Sequence, residues 1–259
     1  MNVLKKICIE KRKEIEVLKS KSSVDFFTKH HKKNENNFLS LLKRKDKEKY
    51  NLIAEIKRKS PSAGLIREKF NHVEIALNYK NAGAKCLSVL TEKNYFGGKI
   101  SFIKDIKKTV NIPILRKDFI IDEWQIYESF YYGADCILLI LAILDDTKAK
   151  EFLKLAHELG MGVITEIHDY EELKRAIEIG AQCIGINNRN LKTLEIDINL
   201  FKKLSKHIPQ NIIKVCESGI SENNQLKKIN EEGADAFLIG EFLMKQRNIY
   251  NATKDLIQK

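Results

Sequence analysis

Short apolar runs recur along the chain at intervals of roughly 20 to 30 residues. They fall at Leu52–Ile56, Cys86–Thr91, Pro113–Arg116, Cys136–Leu141, Gly162–Ile167, Ile184–Asn187, Ile212–Cys216 and Ala236–Gly240. Each is short, rich in branched aliphatics and suited to a buried strand. Between them the apolar positions change to a helical period, over Val73–Asn81, Ile100–Val110, Glu123–Tyr132, Lys148–Leu159, Tyr170–Ile179, Asn199–His207 and Asn223–Glu232. A last amphipathic stretch covers Phe242–Gln258. Four helical segments end in the same pair, Gly83-Ala84, Gly133-Ala134, Gly180-Ala181 and Gly233-Ala234, each followed closely by a strand. Glycine suits the left-handed residue that closes a helix. Alternating strands and helices imply a parallel sheet. Eight units favour a closed (β/α)₈ barrel over an open doubly wound sheet, and no G-x-G-x-x-G follows the first strand.

The first fifty residues lie outside this repeat. Val3–Leu18 reads as one helix, and Lys29–Lys49 is basic and polar with an apolar patch at Phe38–Leu42. The expected organisation is a helical extension, 1–50, covering the barrel mouth, followed by a catalytic barrel, 51–259, in one structural domain. A partly disordered basic tail is the other reading of this extension.

The longest apolar run, Cys136–Leu144, is about half of what a bilayer span requires, and the N-terminus lacks a signal peptide's uninterrupted apolar centre. A cytoplasmic protein with no membrane partner is expected. The formal charge of +11 raises the question of nucleic acid. The lysines are spread over nearly every helical segment rather than gathered in one stripe, so no nucleic-acid partner is expected. A positive field also suits an anionic small molecule such as a sugar phosphate. The five cysteines form no CxxC and no metal spacing with the six histidines. They read as buried free thiols in a reducing compartment, and no metal site is expected.

Candidate chemistry lies where strands run into the following loops. Glu55 and Lys57 are two residues apart and share one face of the first strand, with Ala54 and Ile56 on the other. That pattern fits a barrel wall with an acid–base pair inside, or an edge strand with its polar face in solvent. Later strands end in Lys117, Glu166, Asn187 with Arg189, and Glu217 with Ser218. Two lysines and three glutamates in one low-dielectric mouth would perturb each other's protonation. Ser218-Gly219 and Gly240-Glu241 place small residues after the last two strands, where backbone N–H groups can cradle a phosphate.

Glu55-Ile-Lys57-Arg-Lys-Ser60-Pro61-Ser62, Leu115-Arg-Lys117-Asp118-Phe119, Thr165-Glu166, Gly185-Ile-Asn187-Asn188-Arg189-Asn190-Leu191 and Glu217-Ser218-Gly219-Ile220 together resemble indole-3-glycerol phosphate synthase, over nearly the whole chain. The resemblance implies ring closure of 1-(o-carboxyphenylamino)-1-deoxyribulose 5-phosphate, with loss of CO₂ and water, in tryptophan biosynthesis, and no cofactor. It also implies roles. Lys117 matches the general acid and Glu166 the general base. Lys57 matches the lysine that pairs with the substrate carboxylate, with acid catalysis of dehydration open to it. Glu55 is a second base or the partner of a lysine. Asn187 and Glu217 match residues that hydrogen-bond substrate hydroxyls and catalytic groups. Ser60 and Ser218 match substrate contacts, Arg189 places the substrate or holds a neighbouring carboxylate, and Phe96, Phe119 and Leu191 fit an apolar slot for the aromatic ring. Ser218, Gly219, Gly240 and Glu241 fall at the phosphate, although Glu241 stands where serine is found in other members and its carboxylate must point away from an anion. A monomer or weak homodimer is expected. The competing readings are a related sugar-phosphate barrel such as phosphoribosylanthranilate isomerase, whose chemistry wants a Cys–Asp pair, and a non-catalytic basic binding protein.

Overall fold

The computed structural model describes residues 3–29, 37–43 and 48–259. Eight parallel strands close into a barrel: β1 Leu52–Ile56, β2 Cys86–Leu90, β3 Ile114–Lys117, β4 Cys136–Ile140, β5 Gly162–Ile167, β6 Cys183–Asn187, β7 Ile213–Glu217 and β8 Ala236–Ile239. Each pairs with its sequence neighbours, and β1 closes the ring against β8 through Leu52↔Phe237 and Ala54↔Ile239. The period-two pattern explains what faces inward. Ile53, Leu115, Leu138, Ile164, Val215 and Leu238 pack in the inner cluster, while Ala54, Ile56, Leu87, Leu139 and Phe237 pack in the outer one beneath the helices. Glu55 is in phase with Ile53, so it points into the barrel.

The helices after these strands are α4 His72–Ala82, α5 Ser101–Thr109, α6 Glu123–Tyr131, α7 Asp146–Glu158, α8 Tyr170–Glu178, α9 Asn199–Ser205 and α10 Asn223–Glu231. Their starts carry local caps: Asn71 accepts from the N–H groups of Val73 and Glu74, and Asp122 with Gln125 forms a capping box. Gly83 closes α4 with φ 107° and donates to the carbonyls of Lys80 and Tyr79, the left-handed termination that the Gly-Ala pairs predict. The last apolar stretch is not one helix. It divides into α11 Glu241–Lys245 and α12 Ile249–Ile257, because Gln246 turns extended and Asn248 starts a new helix by accepting from the Asn251 N–H.

The N-terminal extension contributes α1 Val3–Lys19, α2 Val24–Lys29 and α3 Phe38–Leu42. The basic segment expected between α2 and β1 falls partly outside the described residues. The extension touches both ends of the barrel. Val3, Leu4 and Ile7 of α1 line the pocket at the C-terminal end of the strands. At the opposite end, Asn51, just before β1, donates to the Leu42 and Asp235 carbonyls, and Leu39 fills the space beside Gly162. α2 docks on α6: the Phe27 and Trp124 rings lie 5.2 Å apart, and the Trp124 indole donates to the Ser22 carbonyl at 2.8 Å. Lys11 reaches from α1 into the barrel wall and pairs with buried Asp118 at 3.2 Å. Among the described residues, no helix is long and apolar enough to cross a membrane.

Candidate active site

Strand register sets the levels of the site. Leu90 pairs with Lys117, Ile140 with Glu166, Glu166 with Gly185, and Asn187 with Glu217. The C-terminal ends of these strands therefore open into one mouth. Every residue proposed above lines this one pocket: Glu55, Lys57, Lys117, Glu166, Asn187 and Glu217 at its floor and wall. Ser60, Phe96, Phe119, Arg189, Leu191, Ser218, Gly219, Gly240 and Glu241 complete its rim.

The floor is an ion-pair network. The Lys117 ammonium donates to Glu166 Oε2 at 2.8 Å and to Glu217 Oε2 at 2.6 Å. Across the mouth, Lys57 Nζ lies 2.6 Å from Glu55 Oε1. Both carboxylates around Lys117 are buried, with side chains 2% and 1% exposed. Burial works against the Lys117 ammonium, but Glu166, Glu217 and Glu55 more than offset it and hold its pKa above the ordinary value. Glu166 is held low: burial opposes its charge, and Lys117 with His168 outweighs burial. Burial pushes Glu217 up to about 7, with Lys117 pulling down and the neighbouring Glu166 adding to the rise. Two carboxylates sharing one lysine ionise unequally, and the pair titrates as a unit.

Two glycines make room for these carboxylates. A β-carbon on Gly240 would lie 2.4 Å from Glu55 Oε1, and one on Gly185 would lie 2.2 Å from Glu217 Oε1. No side chain fits at either position without moving a glutamate.

The rim has an apolar side and a side built from Ser218, Gly219, Gly240 and Glu241. Phe96 and Phe119 face each other with ring centroids 6.2 Å apart, beside Leu191, Leu4 and Ile7. Opposite, Ser218 and Gly219 both adopt left-handed backbone, φ 67° and 84°, a turn that directs successive N–H groups to one side. Gly240 leads directly into α11. The Glu241 carboxylate is engaged by Arg189 at 3.2 Å and by Lys245 at 2.7 Å. Arg189 is further held by donating to the Leu194 carbonyl, and its own N–H donates to Asn187 Oδ1. Ser60 accepts from the Ala63 N–H at 3.1 Å, which shapes the loop after Lys57.

Sequence reasoning missed the groups behind this floor. His168 lies two residues past Glu166, with Nε2 3.3 Å from Glu166 Oε1 and Nδ1 3.2 Å from Glu172 Oε2. Burial works against its charge, yet the two carboxylates push its pKa up to about 10. Behind Lys117, Asp118 accepts from Thr91 and pairs with Lys11 and Arg116. Arg116 is buried and also pairs with Glu128 at 2.8 Å. Inward-facing charge at a strand end was the sequence signal used. His168 lies beyond its strand, and Lys11 in the extension, so neither met it.

A closed parallel barrel with lysines and carboxylates gathered at its C-terminal mouth defines an enzyme that acts on a phosphate-bearing small molecule. The 3-hexulose-6-phosphate synthase structure shares the fold, with TM-score 0.62 at 18% identity over 80% of this chain and 97% of that one. The sequence model of the indole-3-glycerol phosphate synthase family matches residues 4–256, and the chain belongs to that family. Curated relatives named indole-3-glycerol phosphate synthase include one from Nautilia profundicola, 42% identical over 98% of both chains. Another, from Legionella pneumophila strain Paris, is 43% identical over 99% of this chain and 98% of its own. A third, from Ruminiclostridium cellulolyticum, is 45% identical over 94% of both.

Proposed function

We propose that this protein is a carbon–carbon lyase that closes the indole ring of indole-3-glycerol phosphate from 1-(o-carboxyphenylamino)-1-deoxyribulose 5-phosphate. The observation that carries the mechanism is the Lys117 ammonium held between Glu166 and Glu217 and facing an apolar slot.

The reaction needs an acid, a base and a fixed geometry. The ring carbon bearing the carboxylate attacks the sugar ketone, and the ketone oxygen takes a proton as its charge develops. Lys117 is kept protonated by its carboxylates and is the group to supply that proton. CO₂ then leaves and its bonding electrons restore the aromatic ring. The hydroxyl leaves as water with a second proton, while Glu166, held ionised, removes the late proton that completes the indole. Lys57 binds the substrate carboxylate and serves as acid in dehydration; its pairing with Glu55 at 2.6 Å supports that role. Asn187 and Glu217 serve as hydrogen-bonding partners of substrate hydroxyls and catalytic groups, and Ser60 contacts substrate from the loop after Lys57. Two proton donations and one removal leave a net uptake of one proton per turnover, which balances a carboxylate lost as neutral CO₂.

Phe96, Phe119 and Leu191 hold the aromatic ring against the ketone. The N–H groups around Ser218, Gly219 and Gly240 take the phosphate. Glu241 would repel it, but Arg189 and Lys245 engage that carboxylate. Arg189 thus both screens the anion cradle and, through Asn187, braces the wall. The isomerase alternative needs a reactive thiol, whereas Cys86, Cys136, Cys183 and Cys216 are buried and their pKa values are raised by burial. Free buried thiols also support the proposed cytoplasmic location. A monomer or weak homodimer is the proposed assembly.

The test mixes purified protein with the carboxyphenylamino-deoxyribulose phosphate and follows indole fluorescence, with Lys117→Ala as control. Signal that grows with the wild type alone supports the reaction and its acid. No signal from a folded protein that binds inorganic phosphate overturns the assignment.

A further inference from the structure

Glu166 has two oxygens and two cationic neighbours. Oε2 accepts from Lys117 at 2.8 Å, and Oε1 lies 3.3 Å from His168 Nε2. Lys117 is shared with Glu217 and must turn toward the ketone oxygen when it acts as acid. At that moment Glu166 loses the partner on Oε2 while still buried. A buried carboxylate without a countercharge takes up a proton and ceases to be a base. His168 is the cation that remains.

His168 is built to stay where it is. It follows the last residue of β5, and its backbone N–H donates to Glu172 Oε2 at 2.7 Å. The same oxygen sits 3.2 Å from its Nδ1. Glu172 is on the first turn of α8, and its own N–H donates to the capping Asp169. The imidazole therefore lies between two carboxylates, one fixed to a helix start and one in the mouth. A second cleft, lined by His168, Asn187, Asn188, Glu195 and Asp197, lies on its outer side. Asp197 is engaged there by Lys203 at 2.9 Å.

We propose that His168, anchored by Glu172, is a positioning residue that keeps Glu166 ionised and oriented while Lys117 turns to the substrate. This rests on Glu166 acting as the base in the reaction proposed above. Each surrounding charge has a separate part. Lys117 and Glu217 face Glu166 from β3 and β7, and Glu55 faces Lys117 from β1. Glu172 faces His168 from α8. Of these, only His168 supplies positive charge to Glu166 without being needed at the ketone.

The test is the pH dependence of kcat for the wild type, His168→Gln, Glu172→Gln and Glu166→Gln as full-length proteins. Without the imidazolium, Glu166 binds its proton more readily. The acid limb of His168→Gln should move up by about one pH unit, which is about tenfold in kcat on that limb. The deficit should narrow toward alkaline pH, with KM little changed. Glu172→Gln keeps an acceptor for the His168 N–H and should shift the limb the same way by less; it carries the test if His168→Gln does not fold. A deficit of the same factor at every pH, or no deficit, overturns the proposal. If Glu166→Gln is inactive in that case, the base assignment survives alone. If Glu166→Gln turns over like the wild type, the base assignment falls and this inference falls with it.

Discussion

Gly185 and Glu217 stand on adjacent strands so closely that a β-carbon at residue 185 would come within 2.2 Å of Glu217 Oε1 and 2.8 Å of Ile164 Cγ2. The absent side chain is the space that the carboxylate occupies. Gly185→Ala should therefore push Glu217 off Lys117 before it disturbs the rest of the barrel. Turnover should fall by roughly tenfold to a hundredfold, with about 1–3 kcal/mol lost in urea unfolding from overpacking. The companion Gly185→Ala/Glu217→Ala pair should be less unstable than the two single changes predict when added, because the clash is gone. Additive losses would mean that residue 185 acts through Ile164 instead.

The two lysines should separate in kinetics. On the proposed mechanism, Lys117→Ala removes the acid at the reacting oxygen and should lower kcat by about 10²–10⁴-fold, with a smaller effect on the affinity of a substrate analogue. On the same mechanism, Lys57→Ala removes the partner of the substrate carboxylate, so analogue binding should weaken as well. Steady-state kinetics with analogue titration distinguishes them. Near-normal turnover of Lys117→Ala would remove that residue from the acid role.

The barrel was legible because its signals are repeated and local. Eight apolar runs, helices of matching period and four Gly-Ala stops agree with one another, and the inward phase of Glu55 follows from Ile53 on the same strand. Residues at strand ends were legible for the same reason, since closing the barrel brings every such end to one mouth. What sequence spacing does not carry is contact between distant parts of the chain. Lys11 and Asp118 are far apart in sequence, and His168 lies past the end of β5, where Glu172 on α8 holds its backbone N–H and its ring beside Glu166. The break at Gln246–Asn248 was missed because apolar periodicity runs through it while the cap at Asn248 is a polar signal.

Glu217 makes stability depend on pH in a defined direction. Its folded pKa is raised to about 7 by burial, above that of an exposed glutamate. A raised acid contributes stability that is present below the unfolded value and is lost as pH rises through the folded value. Glu217→Gln lacks that loss. The melting temperature of the variant relative to the wild type should therefore rise between pH 4.5 and pH 8, whatever its offset at pH 4.5. A difference that stays constant or falls across this window would show that Lys117 keeps Glu217 ionised throughout.

The N-terminal helix should be linked to the catalytic strand through Lys11. Its side chain is 5% exposed, and its ammonium lies 3.2 Å from Oδ1 of Asp118, the residue directly after Lys117. Asp118 is held low: burial opposes its charge, and Lys11 with Arg116 outweighs burial. Lys11→Met leaves Asp118 with Arg116, Thr91 and the Phe119 N–H, and should cost about 1–3 kcal/mol. A lowered acid contributes stability present above its unfolded value and lost as pH falls toward the folded one. The variant has less of that contribution, so its deficit in urea unfolding should be larger at pH 7 than at pH 3, below the unfolded value. Because Phe119 lines the aromatic slot and its N–H donates to Asp118 Oδ1, the same change should also lower kcat. Equal deficits at both pH values with unchanged kcat would mean that Lys11 contributes packing alone, and that the extension is a cover with no charge coupling to the site.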